Sequence, residues 1–363
     1  METIFTYDRP VTGRDFAGRR EQTAALVKAI RSGGNVAIYE PAKTGKTSLV
    51  RQALLEISRS GTQLRSVECS LLGVRSCGDF ISRFSAALCG IFTSTPDEAA
   101  GFSEEYLGGK LVEGSEDLFK TVLHAPYKLA QDRGIKIVVV LDEFQDFLLM
   151  DDAAKKLRWF EEVIKDSEDE LWSGNCSIIW CGSQVNSMKY IFEQKRFFRL
   201  SERIRLGTIP YPEMENFIMK KFLSNGKVIE AEQIRTVYDK LGGNPWYLIR
   251  FCAVCDRLSR GFVTVPVVNE SISSLISIHQ PQFISIMHNL TTFQVLLLKA
   301  IIDGEVLLSS AAVISKYGLN STANVNRIKE ALCKKEIVTF DDNDGATILD
   351  PLFECWLREF YFV

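Results

Sequence analysis

The segment Lys43-Thr44-Gly45-Lys46-Thr47-Ser48 constrains this chain more than any other. It follows a short apolar run, Asn35–Tyr39, which reads as a strand. After it, Ser48–Ser58 reads as a helix, with Leu49, Ala53, Leu54 and Ile57 near one face. A Gly-Lys-Thr turn between a strand and a helix is the setting of a phosphate-binding loop. Backbone N–H groups of such a loop and of the helix start point at phosphate oxygens. The predicted cradle is Pro41, Ala42, Lys43, Thr44, Gly45, Lys46, Thr47 and Ser48.

If the ligand is ATP, Lys46 is the candidate charge between the β- and γ-phosphates, and the Thr47 hydroxyl is a candidate Mg²⁺ ligand. The loop motif begins with glycine, and this chain has Glu40 there. Pro41 pushes Glu40 to extended backbone. Its carboxylate either turns away from the phosphates or repels them. Further along, Ile137–Leu141 is a continuous β-branched run that ends in Asp142-Glu143. Such a run suits a strand covered on both faces, as in a parallel sheet. Ligands of α/β folds bind at the carboxyl ends of such strands. Asp142 is therefore the second candidate Mg²⁺ ligand and Glu143 the candidate general base toward a water. Ser177–Cys181 is another strand candidate, and Ser183 just beyond its end is a candidate γ-phosphate sensor.

The remaining pattern predicts domains. At 363 residues the chain holds two or three, at about 100–200 residues each. Leu64–Glu68 and, more weakly, Arg203–Ile209 are further strand candidates, and residues 80–91 read as helix. Strands separated by helices predict an α/β domain over residues 1–209. Residues 92–118, with Gly108-Gly109 and many acids, read as a partly helical surface excursion. Three helices are predicted over 213–225, 230–241 and 245–258, within a helical domain at 210–282. From 283, helices lead to strand, turn and strand at Ile337–Phe340, Asp341–Gly345 and Ala346–Leu349, which is winged-helix order. Thr291 and Gln294 stand at capping-box spacing at the start of that domain.

Composition excludes some classes. The nine cysteines are scattered, so reduced thiols in the cytoplasm are expected, with Cys252 and Cys255 as buried core. The N-terminus lacks a basic segment followed by an apolar one, so no signal peptide is expected. The longest apolar runs are too short to span a bilayer, so no membrane partner is expected. His124, His279 and His288 are isolated and suggest no metal site.

Only one strand candidate separates the two motif strands. That spacing, with a glutamate after the aspartate, resembles the additional-strand, catalytic-glutamate class of P-loop NTPases, which includes AAA+ proteins. Across nearly its whole length, except 92–118, the chain resembles the archaeal-type ATPases, AAA+-related proteins grouped with the STAND ATPases. The matching segments are Phe16-Ala17-Gly18-Arg19-Arg20-Glu21, Lys43–Ser48, Leu141–Gln145, Gly182-Ser183, Phe197-Phe198-Arg199, Gly242-Gly243-Asn244-Pro245-Trp246-Tyr247, Leu290–Gln294 and Asp350–Trp356. The resemblance implies an AAA+-like parallel sheet with flanking helices, a helical lid and a C-terminal winged helix. It also implies a switch driven by ATP or ADP, with nucleotide between core and lid. Gly18 and Arg19 would then lie beside the adenine, and Asn244 and Pro245 would carry the lid motif. Asn244 stands where many relatives have histidine. Arg199 would sense the γ-phosphate, in cis or in a nucleotide-dependent homo-oligomer.

Winged helices invite a DNA reading, and the charges here oppose it. From Phe283 onward there are 7 Lys+Arg against 10 Asp+Glu. On the predicted recognition helix, about Thr322–Lys335, Val325, Ile328 and Leu332 face inward, leaving Ala323, Arg327, Glu330 and Lys334 outward. The hairpin tip, Asp341-Asp342-Asn343-Asp344-Gly345, would repel phosphates. The expected partners are ATP and a protein, with DNA the less favoured alternative. A nucleotide-binding module with little hydrolysis is the other alternative. The aromatic tail from Trp356 to Val363 either packs inward or docks on a partner.

Overall fold

The computed structural model describes residues 3–109, 112, 114–168, 173–195 and 197–363. The chain forms two compact units. One comprises Arg19–Ala42 and Lys46–Leu206; the other comprises the N-terminal stretch through Gly18, Lys43–Gly45 and Gly207–Val363.

The first unit is an α/β layer structure. Its elements are α1 (Arg20–Arg31), β1 (Val36–Tyr39), α2 (Lys46–Arg59), β2 (Leu64–Ser70), α3 (Cys77–Phe92), α4 (Pro96–Tyr106), α5 (Glu116–Arg133), β3 (Lys136–Asp142), α6 (Ala153–Glu168), β4 (Cys176–Gly182), α7 (Val185–Lys189) and β5 (Glu202–Arg203). The sheet is parallel throughout, in the order β2-β3-β4-β1-β5. β4 therefore lies between the strand that feeds Lys46 and the strand that ends at Asp142. Continuous burial along β1 and β4 accounts for their largely apolar sequence, broken only by Ser177 in β4. Packed rings fill one face of the sheet, with Phe144 against Phe147, Phe160, Trp180, Phe192 and Phe197.

Two readings are corrected. Residues 92–118 are more than a surface excursion: α4 buries Phe102 and Tyr106 in the core, and the Tyr106 hydroxyl donates to Asp132 at 3.1 Å. Residues 110, 111 and 113 lie outside the described residues. The strand expected over Arg203–Ile209 is only the two-residue β5, although Ile204 still donates to the Ala37 carbonyl. Pairing stops because β1 has given way to the loop at Glu40. The next inward-facing amide, Leu206 N–H, is taken by the Glu40 side chain.

The second unit contains α8 (Tyr211–Ser224), α9 (Ala231–Lys240), α10 (Pro245–Leu258), α11 (Val265–His288), α12 (Thr292–Ile302), α13 (Ala311–Tyr317), α14 (Thr322–Lys334), β6 (Val338–Phe340), β7 (Ala346–Ile348) and α15 (Pro351–Trp356). β6 and β7 form the expected antiparallel hairpin. One apolar cluster runs from Phe5 through Tyr247 and Phe283 to Trp356. α11 is continuous across residues 282 and 283 and carries Pro281 inside it. Gly242 has φ +56°, and a Cβ there would sit 2.9 Å from Pro351. Thr291 and Gln294 form the reciprocal capping box at the start of α12.

A polar hub ties this unit together. Asp256, buried, accepts hydrogen bonds from Lys227 (2.7 Å), Asn225 (2.8 Å) and Thr3 (2.9 Å). Burial alone would raise its pKa, but the three donors hold it below the usual carboxylate range. Asp256→Ala removes the ion pair and leaves the part-buried Lys227 ammonium on the main-chain carbonyl of residue 256 alone, so a loss of roughly 1–3 kcal/mol is expected in urea unfolding. The sign on pH follows from the lowered pKa. The carboxylate's contribution is complete above the unfolded value of about 4 and is lost as pH falls through the lower folded value. The variant should therefore show a shallower acid destabilisation than wild type; an equal slope would contradict this assignment.

Candidate functional site

The loop after β1 brings the predicted phosphate cradle into a defined geometry. Gly45 adopts φ +92°, which favours glycine, and a Cβ there would meet nothing within 4 Å. Lys46 opens α2 and is only 7% exposed. Its ammonium donates to the carbonyls of Glu40 (2.8 Å) and Pro41 (3.0 Å). Burial pulls its pKa down, while the nearby carboxylates of Glu143, Asp142 and Glu40 oppose that pull. Among the described residues Lys46 has no ion-pair partner. The Thr47 hydroxyl, half-buried one residue on, has no hydrogen-bond partner among the described residues.

The end of β3 supplies the acids. Asp142 is half-buried and accepts from the Glu143 N–H at 3.0 Å. Burial pushes its pKa up first, and the adjacent Glu143 charge adds to the rise. Glu143 turns through left-handed backbone (φ 52°) into a 3-10 helix, Phe144–Leu149. Its Oε2 accepts from the Ser183 hydroxyl at 2.6 Å and from the Gln145 amide at 2.5 Å. Gln145 in turn accepts from the Ser183 N–H at 3.2 Å. Ser183, Glu143 and Gln145 thus form a closed polar triangle at the ends of β3 and β4. Ser183 and Glu143 are legible in the sequence as site residues, and the contact of Gln145 is not. Its spacing, two residues beyond Glu143, becomes informative only with the tight turn at Glu143.

These residues fit a nucleotide phosphate with Mg²⁺. A buried ammonium without an ion pair calls for an anion. Two adjacent, half-buried carboxylates at the carboxyl end of β3 suit a hard divalent cation. Among the described residues no group of three or more His, Cys, Asp or Glu side chains could hold a metal by itself.

The remaining candidates are distributed between the units. Arg19 lies in the α/β unit and is 4% exposed. Its guanidinium donates to the Leu206 carbonyl at 2.6 Å, and burial lowers its pKa to about 10 against the charge of Glu40. Arg199 is exposed, with no ion pair among the described residues, on the 3-10 helix Phe197–Leu200. Gly18 belongs to the second unit, close against Ile209 and Glu213. In that unit the Asn244 side chain accepts from the N–H groups of Trp246 (3.0 Å) and Tyr247 (3.2 Å), capping α10, and Pro245 occupies the first helical turn. The Lys43 ammonium, also in that unit, lies 4.7 Å and 4.8 Å from the ring centres of Trp246 and Tyr247. It donates to the Tyr247 hydroxyl at 3.1 Å, which donates to Asp350 at 2.8 Å.

In the winged helix, Val325, Ile328 and Leu332 are buried, and Ala323, Arg327, Glu330 and Lys334 are exposed. Lys329 turns inward, with its ammonium on Asp344 of the hairpin and over the Phe340 ring at 5.1 Å. The aromatic tail divides: Trp356 and Leu357 are buried, while Phe360, Tyr361 and Val363 are exposed.

Comparison with known proteins defines the class. The family described as "Probable winged helix domain" matches residues 281–359. Among solved structures, the chain is similar to the Walker-type ATPase of Pyrococcus abyssi, with TM-score 0.69 and 16% identity over 98% of this chain and 99% of that one. It is similar to the ORC2 protein of Aeropyrum pernix, solved as ADPNP-ADP complexes, with TM-score 0.64 and 14% identity over 98% and 96%. It is also similar to Cdc6p of Pyrobaculum aerophilum, with TM-score 0.51 and 14% identity over 96% and 94%. No curated protein matches the chain in sequence. The chain thus has an AAA+-like P-loop NTPase fold, a parallel five-stranded sheet with flanking helices, and ends in a winged-helix domain.

Proposed function

We propose that this protein is a Mg²⁺-dependent ATPase that works as a nucleotide-driven conformational switch. The observation that carries the reading is Lys46: a buried ammonium at the start of α2, without an ion pair among the described residues and coupled to the charges of Asp142 and Glu143. Lys46 would bind the β- and γ-phosphates, with Pro41 to Ser48 around them. Thr47 and Asp142 would hold Mg²⁺, which when bound offsets phosphate charge. Glu143 would take a proton from the attacking water, and Ser183 would orient Glu143 or sense the γ-phosphate. Arg199 is free to approach a γ-phosphate of its own copy or of a second copy in a nucleotide-dependent homo-oligomer.

The proposed division is an ATPase core at 1–209, a lid at 210–282 and a winged helix at 283–363. Gly18, Arg19, Asn244 and Pro245 remain the residues proposed to frame the nucleotide, as the family resemblance implies. The inward turn of Lys329 leaves the recognition helix short of cations, so a protein partner is favoured over DNA. The nine free cysteines fit a reducing compartment, and the cytoplasm is the proposed location. No helix among the described residues is long and apolar enough to cross a membrane.

The two donors already on Glu143 favour a second reading, in which ATP or ADP is held and seldom hydrolysed. Steady-state phosphate release by the purified chain separates the two. Turnover that requires Mg²⁺ and saturates with ATP is expected for the switch. Stoichiometric binding without turnover would hand the function to the second reading.

A further inference from the structure

We propose that Glu40, which stands where the phosphate-loop motif has glycine, is a positioning residue that holds the loop ready for ATP. The proposal rests on the nucleotide-binding reading above and concerns one residue that reading leaves unexplained.

The backbone gives no reason for glycine at this position. Glu40 is absent from the residues with positive φ, unlike Lys43 and Gly45 in the same loop. Its N–H continues the β1–β4 ladder, donating to the Gly182 carbonyl at 3.4 Å. Its carbonyl accepts from the Lys46 ammonium at 2.8 Å, and its carboxylate accepts from the Leu206 N–H at 3.1 Å. The Leu206 carbonyl accepts from buried Arg19 at 2.6 Å. Arg19 and Leu206 are the first and last residues of the α/β unit. Glu40 therefore joins three things: the lysine of the loop, the exit of the last strand, and the cation at the entrance of the unit.

Each link has a physical consequence. With glycine at 40, the Leu206 N–H loses its acceptor just where strand pairing has ended. Arg19 loses the nearby negative charge that counters its burial. The start of the loop, whose carbonyl holds Lys46, then keeps the ladder bond to Gly182 but loses its tie to the exit of the last strand. A carboxylate that accepts from the Leu206 N–H and has the Arg19 cation nearby has part of its negative charge offset, which lessens its repulsion of phosphate.

The test is made on the full chain with Glu40→Gly, which restores the motif, and Glu40→Gln, which keeps an acceptor for Leu206. Equilibrium ATP affinity with Mg²⁺ is measured beside thermal melting without nucleotide. Glu40→Gly should lose at least about tenfold in affinity, the worth of one charge-assisted hydrogen bond, and Glu40→Gln should lose less. Should Glu40→Gly fail to fold, the Glu40→Gln variant decides: affinity equal to or above wild type overturns the proposal. A folded Glu40→Gly that binds ATP as tightly as wild type, or tighter, also overturns it, even with a lower melting temperature. If wild type itself binds no ATP, the nucleotide-binding reading falls and this proposal falls with it; wild-type binding with a large loss in Glu40→Gly and a smaller loss in Glu40→Gln leaves both standing.

Discussion

Glu143→Gln should lower ATP turnover by roughly 10²–10⁴-fold while ATP binding persists. The size follows from removing a general base, since an amide cannot take the proton from an attacking water. Persistence of binding follows from geometry. A glutamine oxygen can still accept from Ser183 and Gln145, so the triangle at the ends of β3 and β4 survives. The left-handed backbone at Glu143 is equally strained for either side chain. Asp142, proposed to hold Mg²⁺, is untouched. Single-turnover measurement with bound ATP checks this. Undiminished hydrolysis in the variant would remove Glu143 from the chemistry and point to another base.

Lys46→Ala should weaken ATP by roughly 10–150-fold, corresponding to about 1.5–3 kcal/mol for a hydrogen-bonded charge. The buried ammonium is desolvated and held only by two loop carbonyls, so its loss should affect the empty protein modestly. With nucleotide the contrast grows. ATP should raise the melting temperature of wild type, because a ligand that binds only the folded state stabilises it, and should leave the variant nearly unmoved. An equal rise in both proteins would show that phosphate is held elsewhere.

Much of this site is legible in the sequence because its residues sit at strand and helix ends. Lys46, Asp142 and Glu143 are read from local spacing alone, since an apolar run ending in a turn fixes which end of the sheet they occupy. The winged helix is legible for a similar reason: Val325, Ile328 and Leu332 repeat on one face, and Asn343-Asp344-Gly345 marks the hairpin tip. What is not legible depends on distant partners. α11 is rich in Ser, Ile and Val, weak helix formers, and contains Pro281. Burial of Ile272, Leu275, Ile276 and Phe283 overrides that preference. α5 hides its helical pattern around Pro126 in the same way. The bond from Arg19 to the Leu206 carbonyl spans 187 residues, so no local spacing signals it. Glu40 reads as a defect in the loop because its acceptor role requires an amide 166 residues away. Lys329 reads as one more cation of α14 until the hairpin brings Asp344 to it.

The most direct test of the central claim is calorimetric titration of the purified wild-type chain with ATP, in Mg²⁺ and again in EDTA. One site per chain, tighter with Mg²⁺ than without, is the predicted result. No heat of binding at millimolar ATP in either buffer would contradict the account, because the buried ammonium of Lys46 would then serve the fold and not a phosphate.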